Sequence, residues 1–219
     1  MLRQGFLHVA GVDEVGRGAW AGPVVAAAVG LPLERRNLRR LLCGVRDSKQ
    51  MSPDERLAWE PRICQIAWGC AVGEASVEEI ESLGIVPATH LAMLRAAAGL
   101  RPCADYLLID YLRLPGTSVG QLAFKFGDQF SLSIAAASVV AKVYRDQLMV
   151  GLDSLFPGYA LAHNKGYGTA AHRAGLARQG PAAVHRRTFA PIARWLEAPV
   201  RPPSPQGATL GRLLVTSGS

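Results

Sequence analysis

The chain has 219 residues, which fits one domain with or without an appendage, and its 49% apolar content is enough for a packed core. Its longest apolar stretch, residues 19–33, is short for a membrane span and contains two prolines, while Asp13 and Glu14 interrupt any signal-peptide core. The net charge of +7 arises in residues 160–219, which hold eight basic residues and one acid, Glu197. Composition therefore predicts a soluble cytoplasmic protein, without a membrane span, that has one basic end.

The predicted elements begin with two strands, residues 7–15 and 22–31, which are apolar, rich in Val and Ala, and joined by a Gly-Arg-Gly turn. Ser52 followed by Glu55 is typical of a capping box and predicts a helix over residues 53–62. The remaining strands are predicted at residues 65–76, 106–111 and 121–126, and the remaining helices at 87–100, 133–152, 170–179 and 191–197. This order predicts an α/β layer fold with a mixed sheet.

Two segments are predicted to lack regular structure. Residues 157–169 contain three glycines and two tyrosines and predict a loop. Residues 198–219 are rich in Pro, Ser, Gly and Arg and predict a disordered tail after a domain of residues 1–197. The four cysteines, Cys43, Cys64, Cys70 and Cys103, have no zinc-site spacing, so we expect reduced, buried thiols.

Four acidic residues lie at or near strand ends: Asp13, Glu14, Asp110 and Asp128. Charged side chains rarely occupy apolar strands without a partner or a function. Carboxylates that converge without His or Cys are typical of Mg²⁺ and Mn²⁺ sites, and nucleases use two such ions about 4 Å apart. For any single acid, a capping or turn role remains the alternative.

Asp13 and Glu14 are neighbours, and successive side chains on a strand point to opposite faces. A regular strand would therefore direct only one of them at a given ion. The other could contribute through its backbone carbonyl, or through its side chain after a local bulge.

Several basic and small residues are candidates for contact with a nucleic acid. Gly16, Arg17 and Gly18 could bring backbone amides close to a substrate, although a plain hairpin turn has the same composition. Ser48 and Lys49 precede a predicted helix start, a place suited to phosphate.

Further candidates lie in the second half of the chain. Ser138 and Lys142 share one helix face with Asp146, where Lys142 and Asp146 could equally form an ion pair. Lys165 adjoins a Gly-Tyr-Gly segment in which Tyr167 could stack on a base or sugar, or could be a structural loop residue. The chain has only four lysines, and Lys49, Lys142 and Lys165 are three of them.

Taken together, these motifs resemble the ribonuclease HII family from about residue 7 to residue 196. The matching segments are GVDEVGRG at 11–18, AGPVVAAAV at 21–29, DSK at 47–49, ID at 109–110, GD at 127–128, SIAAASVVAKV at 133–143, RD at 145–146, KGYGT at 165–169, His172, and HR at 185–186. The match is specific because it depends on the order and spacing of all the motifs. Departures include Ala19-Trp20 after the Gly-Arg-Gly, Tyr111 after Asp110, and Asn164 before Lys165.

The resemblance implies a ribonuclease H-like fold, with a central five-stranded mixed sheet flanked by helices and a helical carboxyl-terminal extension. It implies a monomeric endoribonuclease that cuts the RNA strand of RNA·DNA hybrids, including single ribonucleotides in duplex DNA, on the 5′ side of the ribonucleotide. The products would carry 3′-hydroxyl and 5′-phosphate ends. Two divalent cations, Mg²⁺ or Mn²⁺, would be held by Asp13, Glu14, Asp110 and Asp128.

The resemblance also implies how the substrate is contacted. Gly16, Arg17 and Gly18 would contact the 2′-hydroxyl at the junction, where a side chain on either glycine would block the approach, so Gly16→Ala should cost activity while the fold survives. Tyr167 would stack on the following deoxyribose. Ser48, Lys49, Ser138, Lys142 and Lys165 would contact the phosphates.

Three alternatives remain open. Ribonuclease HIII is similar but typically carries an additional amino-terminal domain, whereas here the first motif begins at residue 11. Another acidic-site nuclease, such as a proofreading exonuclease, would require a free strand end. A binding module that has lost catalysis would bind hybrids without forming a product.

Overall fold

The structure is a computed structural model that describes residues 5–197, so the predicted tail at 198–219 lies outside the described residues. Five strands form one mixed sheet in the order β3-β2-β1-β4-β5. The strands are β1 (Val9–Val15), β2 (Val24–Gly30), β3 (Gly69–Ala75), β4 (Tyr106–Asp110) and β5 (Gly120–Phe124). β1, β2 and β3 pair antiparallel, while β4 runs parallel to both β1 and β5. The predicted five-stranded mixed sheet is therefore confirmed.

The helices cover both faces of the sheet and continue beyond it towards residue 197. They are α1 (Leu38–Leu41), α2 (Pro53–Ile66), α3 (Val77–Leu83), α4 (Ile85–Gly99), α5 (Gly127–Phe130), α6 (Leu132–Leu155), α7 (Leu161–Asn164), α8 (Ala170–Gln179) and α9 (Ala190–Glu197). Within residues 5–197, no helix is both long and apolar enough to cross a membrane.

Successive side chains along each strand point to opposite faces of the sheet, so the core consists of two layers. Val12, Ala26 and Ala28 pack on the face covered by α4, while Ala27 and Val29 face α6. α6 comes very close to β1 at Gly11, where any side chain would overlap the backbone of Ser133 and Ile134. The small residues at the start of α6 permit this approach, which brings Ser138 beside the end of β1.

Helix caps explain one correct and one missed prediction. Ser52 and Glu55 form the predicted capping box, with each side chain accepting a hydrogen bond from the other's backbone nitrogen. Ser76 and Glu79 form a second capping box at the start of α3. The sequence analysis predicts no helix here, because its strand over residues 65–76 runs through Ser76. Residues 157–169, predicted as a loop, contain the short helix α7.

The cysteine prediction is wrong. Cys64 and Cys70 are half-buried and lie next to each other where the chain reverses from α2 into β3, a turn that brings their Cα atoms to 5.5 Å. Cys43 and Cys103 are free but exposed rather than buried. Sequence spacing alone did not indicate this reversal of the chain.

Candidate active site

The four predicted acids lie at one edge of the sheet. Val12 pairs in parallel with Ile109, so Asp13 and Asp110 follow it at neighbouring positions of β1 and β4. Asp110 in turn pairs with Phe124 at the end of β5, and Asp128 follows four residues after the end of that strand. The carboxyl ends of three parallel strands therefore bring acids from distant parts of the sequence to one edge.

Asp13 is the most deeply buried of these acids, with only 7% of its surface exposed. Its Oδ1 accepts a hydrogen bond of 2.7 Å from the backbone nitrogen of Glu14. Burial raises the pKa of Asp13 well above its ordinary value, and the nearby carboxylates of Glu14 and Asp110 raise it further. A desolvated carboxylate beside like charges is a strong site for a cation, because a cation would offset both penalties.

Glu14 is the last residue but one in an unbroken register between β1 and β2, so β1 has no bulge to redirect it. Burial raises the pKa of Glu14, which the Arg17 guanidinium 3.2 Å from Oε1 partly offsets. The second oxygen, Oε2, is buried and has no hydrogen-bond partner among the described residues. An unsatisfied buried carboxylate oxygen is costly, so this atom is suited to accept a ligand.

Asp110 ends β4 and is held in place by the start of α5, because its Oδ1 accepts a 2.7 Å hydrogen bond from the backbone nitrogen of Gly127. The next residue, Tyr111, has a φ of 61°, in the left-handed region that favours glycine. This conformation gives a physical reason why a residue without a side chain suits the position after Asp110.

Asp128 lies in α5 and faces the loop that precedes the 3₁₀ turn Ser48–Gln50. Burial and the carboxylates of Asp47 and Asp110 raise the pKa of Asp128, while Lys49 lowers it. A cavity of about 580 Å³ opens beside Asp128, and Arg39, Arg46 and Asp47 also line it. The cavity extends the acidic edge into a groove whose charged lining residues are two arginines and two aspartates.

The acids are electrostatically coupled, yet in the part of the chain that the structure describes no three His, Cys, Asp or Glu side chains form a ready-made metal-ligand set. Three features nevertheless fit hard divalent cations: an all-oxygen donor set, the desolvation of Asp13 and the unsatisfied Oε2 of Glu14. The residues present are therefore compatible with such ions.

Two fully buried arginines, Arg145 and Arg186, support the Gly16–Gly18 segment from the protein interior. Arg145 donates to the backbone oxygens of Ala21, Pro23 and Lys165 at 3.2, 3.1 and 2.9 Å. Arg186 donates to the oxygens of Arg17 and Gly22, each at 2.9 Å. Burial lowers the pKa of Arg186 to about 9. Backbone oxygens of this loop, which lie outside the sheet, thus receive their hydrogen bonds from the two guanidinium groups.

The two glycines of this segment differ. Gly16 has a φ of 91° and lies against the Arg145 guanidinium, so a side chain there would clash with the protein itself. Gly18 is exposed, and a Cβ added to it would have only Tyr167 Cε1 nearby, at 3.9 Å. Gly18 and Tyr167 therefore lie side by side at the surface, while Gly16 has a structural requirement that the sequence interpretation did not include.

Ser48 and Ser138 are buried, and their hydroxyl groups are 2.6 Å apart, with Ser138 donating to Ser48. The Ser138 hydroxyl also lies beside Asp13 and can donate its single proton there instead, which lowers the pKa of that acid. These contacts favour a role for both serines in positioning Asp13 and the 3₁₀ turn rather than in direct contact with phosphate.

The three predicted lysines have different surroundings. Lys49 is exposed at the 3₁₀ turn. Lys142 donates to Asp146 Oδ1 at 2.6 Å and is partly buried, and burial lowers its pKa. Lys165 directs Nζ at the backbone oxygens of Ala162 and Asp146, at 2.5 and 3.3 Å. Of the three, Lys49 is the most accessible to a phosphate.

Two of the sequence departures have local structural roles. Asn164 is buried, donates to the Tyr159 oxygen and accepts from the Gly166 nitrogen, so it shapes the loop before Tyr167. Trp20 packs over Gly168, where no side chain would fit. Both residues support the Tyr167 loop.

Several residues that organise the site are not among those that the sequence predicts to be functional. Asp47 lies in the DSK motif, where the sequence predicts a contact role only for its neighbours Ser48 and Lys49. Arg145, Arg186, His172 and His185 occurred in the matching motifs without an assigned role. Their signal was a set of polar residues inside family motifs, and only the structure shows that these four are completely buried.

Comparisons with known proteins agree with this geometry. A family model described as Ribonuclease HII matches residues 10–192. A ribonuclease HII of Chloroflexus aurantiacus is 51% identical over 193 residues, which cover 88% of this chain and 91% of that protein. A ribonuclease HII of Synechococcus sp. is 52% identical over 192 residues, covering 88% and 86%.

Solved structures show the same fold. The ribonuclease H2 of Pyrococcus horikoshii has a TM-score of 0.73 at 23% identity, covering 86% of this chain and 97% of that one. A Bst ribonuclease HIII in complex with Mn²⁺ has a TM-score of 0.67 at 22% identity, covering 87% and 70%. The match over nearly all described residues, at about half identity to relatives of one name, shows that the chain belongs to the ribonuclease HII family of endoribonucleases.

Proposed function

We propose that the protein cuts the RNA strand of RNA·DNA hybrids at the acidic edge of the sheet, including single ribonucleotides embedded in duplex DNA. The observation that carries this proposal is the combination of desolvated carboxylates with the exposed Gly18 and Tyr167 at one edge of the sheet. A cavity that Arg39 and Arg46 help to line opens beside Asp128. Cleavage on the 5′ side of the ribonucleotide would leave 3′-hydroxyl and 5′-phosphate ends.

We propose Asp13, Glu14, Asp110 and Asp128 as the residues that hold two divalent cations, Mg²⁺ or Mn²⁺. When bound, such ions lower the pKa of an attacking water and offset charge on the phosphate and the leaving oxygen. Glu14 Oε2 is the atom best prepared for this role, because it is buried without a partner. Ser138 and the Gly127 nitrogen keep Asp13 and Asp110 oriented.

Substrate selection would depend on the surface formed by Gly18 and Tyr167. The absence of a side chain at Gly18 leaves room for a sugar edge, and the 2′-hydroxyl is the group that distinguishes RNA from DNA. Arg17, Lys49, Lys142 and Lys165 supply positive charge around this surface, with Lys49 the most accessible. Gly16, Ser48 and Ser138 contribute through the shape of the loops.

A direct test uses an end-labelled DNA duplex with one embedded ribonucleotide, incubated with Mg²⁺, Mn²⁺ or EDTA. We expect a metal-dependent nick on the 5′ side of the ribonucleotide, and none with Asp110→Asn. The asparagine keeps an oxygen that can accept from the Gly127 nitrogen, so this variant should fold and still bind the duplex. Cutting only from a strand end would instead indicate an exonuclease, and binding without any product would indicate a non-catalytic module.

We also propose that the protein acts as a monomer in the cytoplasm. Light scattering coupled to gel filtration tests the first point, because a dimer would elute with twice the chain's mass of 23.4 kDa. Cell fractionation tests the second.

A further inference from the structure

Two fully buried histidines, His172 in α8 and His185 in the following turn, contact each other through their ring nitrogens. The two Nε2 atoms are 3.0 Å apart. Two unprotonated nitrogens at this distance would repel, and two protonated ones would place hydrogens against each other. One Nε2 must therefore donate and the other must accept.

The outer partners decide which nitrogen donates. Nδ1 of His172 is 3.0 Å from the carbonyl oxygen of Tyr167, which can only accept, so this nitrogen carries the proton and Nε2 of His172 accepts. His185 must then carry its proton on Nε2. Its Nδ1 is left to accept from the backbone nitrogen of Ala182, at 3.0 Å.

The opposite tautomer of His185 is less consistent with the contacts. Its Nδ1 also lies 3.2 Å from the Ala182 oxygen and could donate to it. His185 Nε2 would then be an acceptor facing another acceptor, and the buried contact between the rings would have no proton. A single arrangement therefore satisfies all three contacts, running from Ala182 through His185 and His172 to Tyr167.

The surroundings favour two neutral rings. Tyr159 packs against both imidazoles, with ring centroids 4.6 Å from His185 and 6.2 Å from His172, and Trp20 lies 5.7 Å from His172. Burial lowers the pKa of His172, and it lowers the pKa of His185 to about 4, with a further contribution from His172. Both rings are therefore uncharged at neutral pH and able to form the fixed chain of hydrogen bonds.

These hydrogen bonds join the loop after Gly18 to Tyr167, the two segments that form the proposed recognition surface. His185 forms a β-bridge with Ala21, and the Arg186 nitrogen donates to the Trp20 oxygen at 2.8 Å. The backbone at His185 is therefore attached to the loop that follows Gly18. Through His172, its side chain reaches the carbonyl of Tyr167, more than 140 residues further along the chain from that loop.

We propose that His172 and His185 are positioning residues, whose hydrogen-bond relay of fixed tautomers sets Tyr167 relative to the Gly16–Gly18 segment and thereby determines how the enzyme selects ribonucleotide junctions. The selection part rests on the proposed function of Gly18 and Tyr167. The relay itself rests only on the contacts between the two rings and their neighbours.

The tautomers are tested in the wild-type protein by long-range ¹H–¹⁵N correlation spectra of uniformly labelled protein at neutral pH. His172→Gln and His185→Gln assign the signals. We expect His172 to be protonated at Nδ1 and His185 at Nε2, with both rings still neutral below the ordinary histidine pKa. The opposite tautomer in either ring would overturn the relay.

The positioning role is tested with two amide variants at one site. In His172→Asn the side-chain amide can occupy the place of Nδ1 and donate to Tyr167, whereas in His172→Gln it reaches towards His185 and leaves the Tyr167 oxygen without this donor. His8→Gln is the matched control, because His8 lies at the opposite end of β1 and packs edge to face with Trp68.

The readout is the ratio of kcat/KM on the single-ribonucleotide duplex to kcat/KM on a long RNA·DNA hybrid. We expect this ratio to fall about tenfold in His172→Gln, because misplacement of a contact group by about 1 Å can cost up to 100-fold. We expect His172→Asn to restore most of it and His8→Gln to leave it unchanged. A merely structural role would lower both activities together and leave the ratio constant.

The outcomes separate this inference from the proposed function. If the wild type does not cut at single ribonucleotides, the proposed function fails while the tautomers are still measured. If the wild type cuts there but His172→Gln keeps the wild-type ratio, the positioning role is overturned and the proposed function stands. If the glutamine variant does not fold, the wild-type tautomers and the asparagine ratio decide.

Discussion

Replacing Gly18 by alanine should reduce activity without weakening the fold. The added methyl group would have only Tyr167 Cε1 nearby, at 3.9 Å, an ordinary van der Waals distance, and the backbone of Gly18 is outside the left-handed region. An alanine also has less freedom than glycine in the unfolded chain, which stabilises a compatible site by about 0.4–1 kcal/mol. The melting temperature should therefore stay the same or rise slightly.

Gly16→Ala is the matched comparison two residues earlier. Its φ of 91° is left-handed, which costs an alanine about 1–2 kcal/mol from the backbone alone. For a chain of this size that lowers the melting temperature by roughly 2–8 °C. Displacement of the Arg145 guanidinium, which bonds three backbone oxygens, adds to the loss. We therefore expect Gly16→Ala to be destabilised, in contrast to the sequence-based expectation that this change spares the fold.

Both variants are compared by thermal unfolding and by kcat/KM on the single-ribonucleotide duplex. If Gly18 must be bare to admit the sugar, Gly18→Ala loses about 10–100-fold in kcat/KM while its melting temperature is unchanged. Full activity in a stable Gly18→Ala protein would refute the steric argument. A large drop in its melting temperature would instead refute the free space that the structure shows beside Gly18.

Three further predictions follow from charge. Burial raises the pKa of Asp13, so the ionised form of this residue destabilises the fold. Asp13→Asn should therefore have a higher melting temperature than the wild type at pH 7 in EDTA, and this gain should shrink as the pH falls towards about 4. An unchanged or lower melting temperature at pH 7 would contradict this reasoning. His185 stays neutral in the folded protein down to about pH 4, whereas in the unfolded chain it takes up a proton near pH 6.5. The free energy of unfolding, measured by urea denaturation at several pH values, should therefore decrease as the pH is lowered from 6.5 to 4. His185→Gln should flatten that decline and His8→Gln should not; equal slopes in all three proteins would rule out His185 as the cause. Hybrid binding, measured by fluorescence anisotropy in EDTA, should weaken steeply with salt, and Lys49→Ala should reduce the logarithmic slope by about one, whereas an unaltered slope would remove Lys49 from the phosphate contacts.

The strand framework and its acids could be predicted because both depend on local sequence. An apolar run that stops at Asp110 identifies a buried strand and a charge at its end, and parallel pairing then brings such ends together. The same local logic predicted α2 from its capping box. It could also have predicted α3 from Ser76 and Glu79, but the apolar strand before them was extended over the cap.

The parts that could not be predicted depend on contacts between distant segments. Arginine is mostly exposed in proteins, so nothing in the sequence marks Arg145 and Arg186 as buried. They are buried because the loop after β1 has backbone oxygens outside the sheet, which need donors from elsewhere. The histidine contact joins residues 13 positions apart, a spacing that no helical or strand periodicity would highlight.

The hydrogen bonds from Arg186 to Arg17 and Gly22 also determine when the site can form during synthesis. They join residues 169 and 164 positions apart, so the loop after β1 waits for almost the whole chain. By the time residue 128 is made, all four acids are present, but neither Tyr167 nor Arg186 exists. A nascent chain that ends at residue 128 therefore contains the four proposed metal-binding acids, but it lacks α6, which packs on β1, and it lacks both Tyr167 and the arginine that joins Arg17 to Gly22.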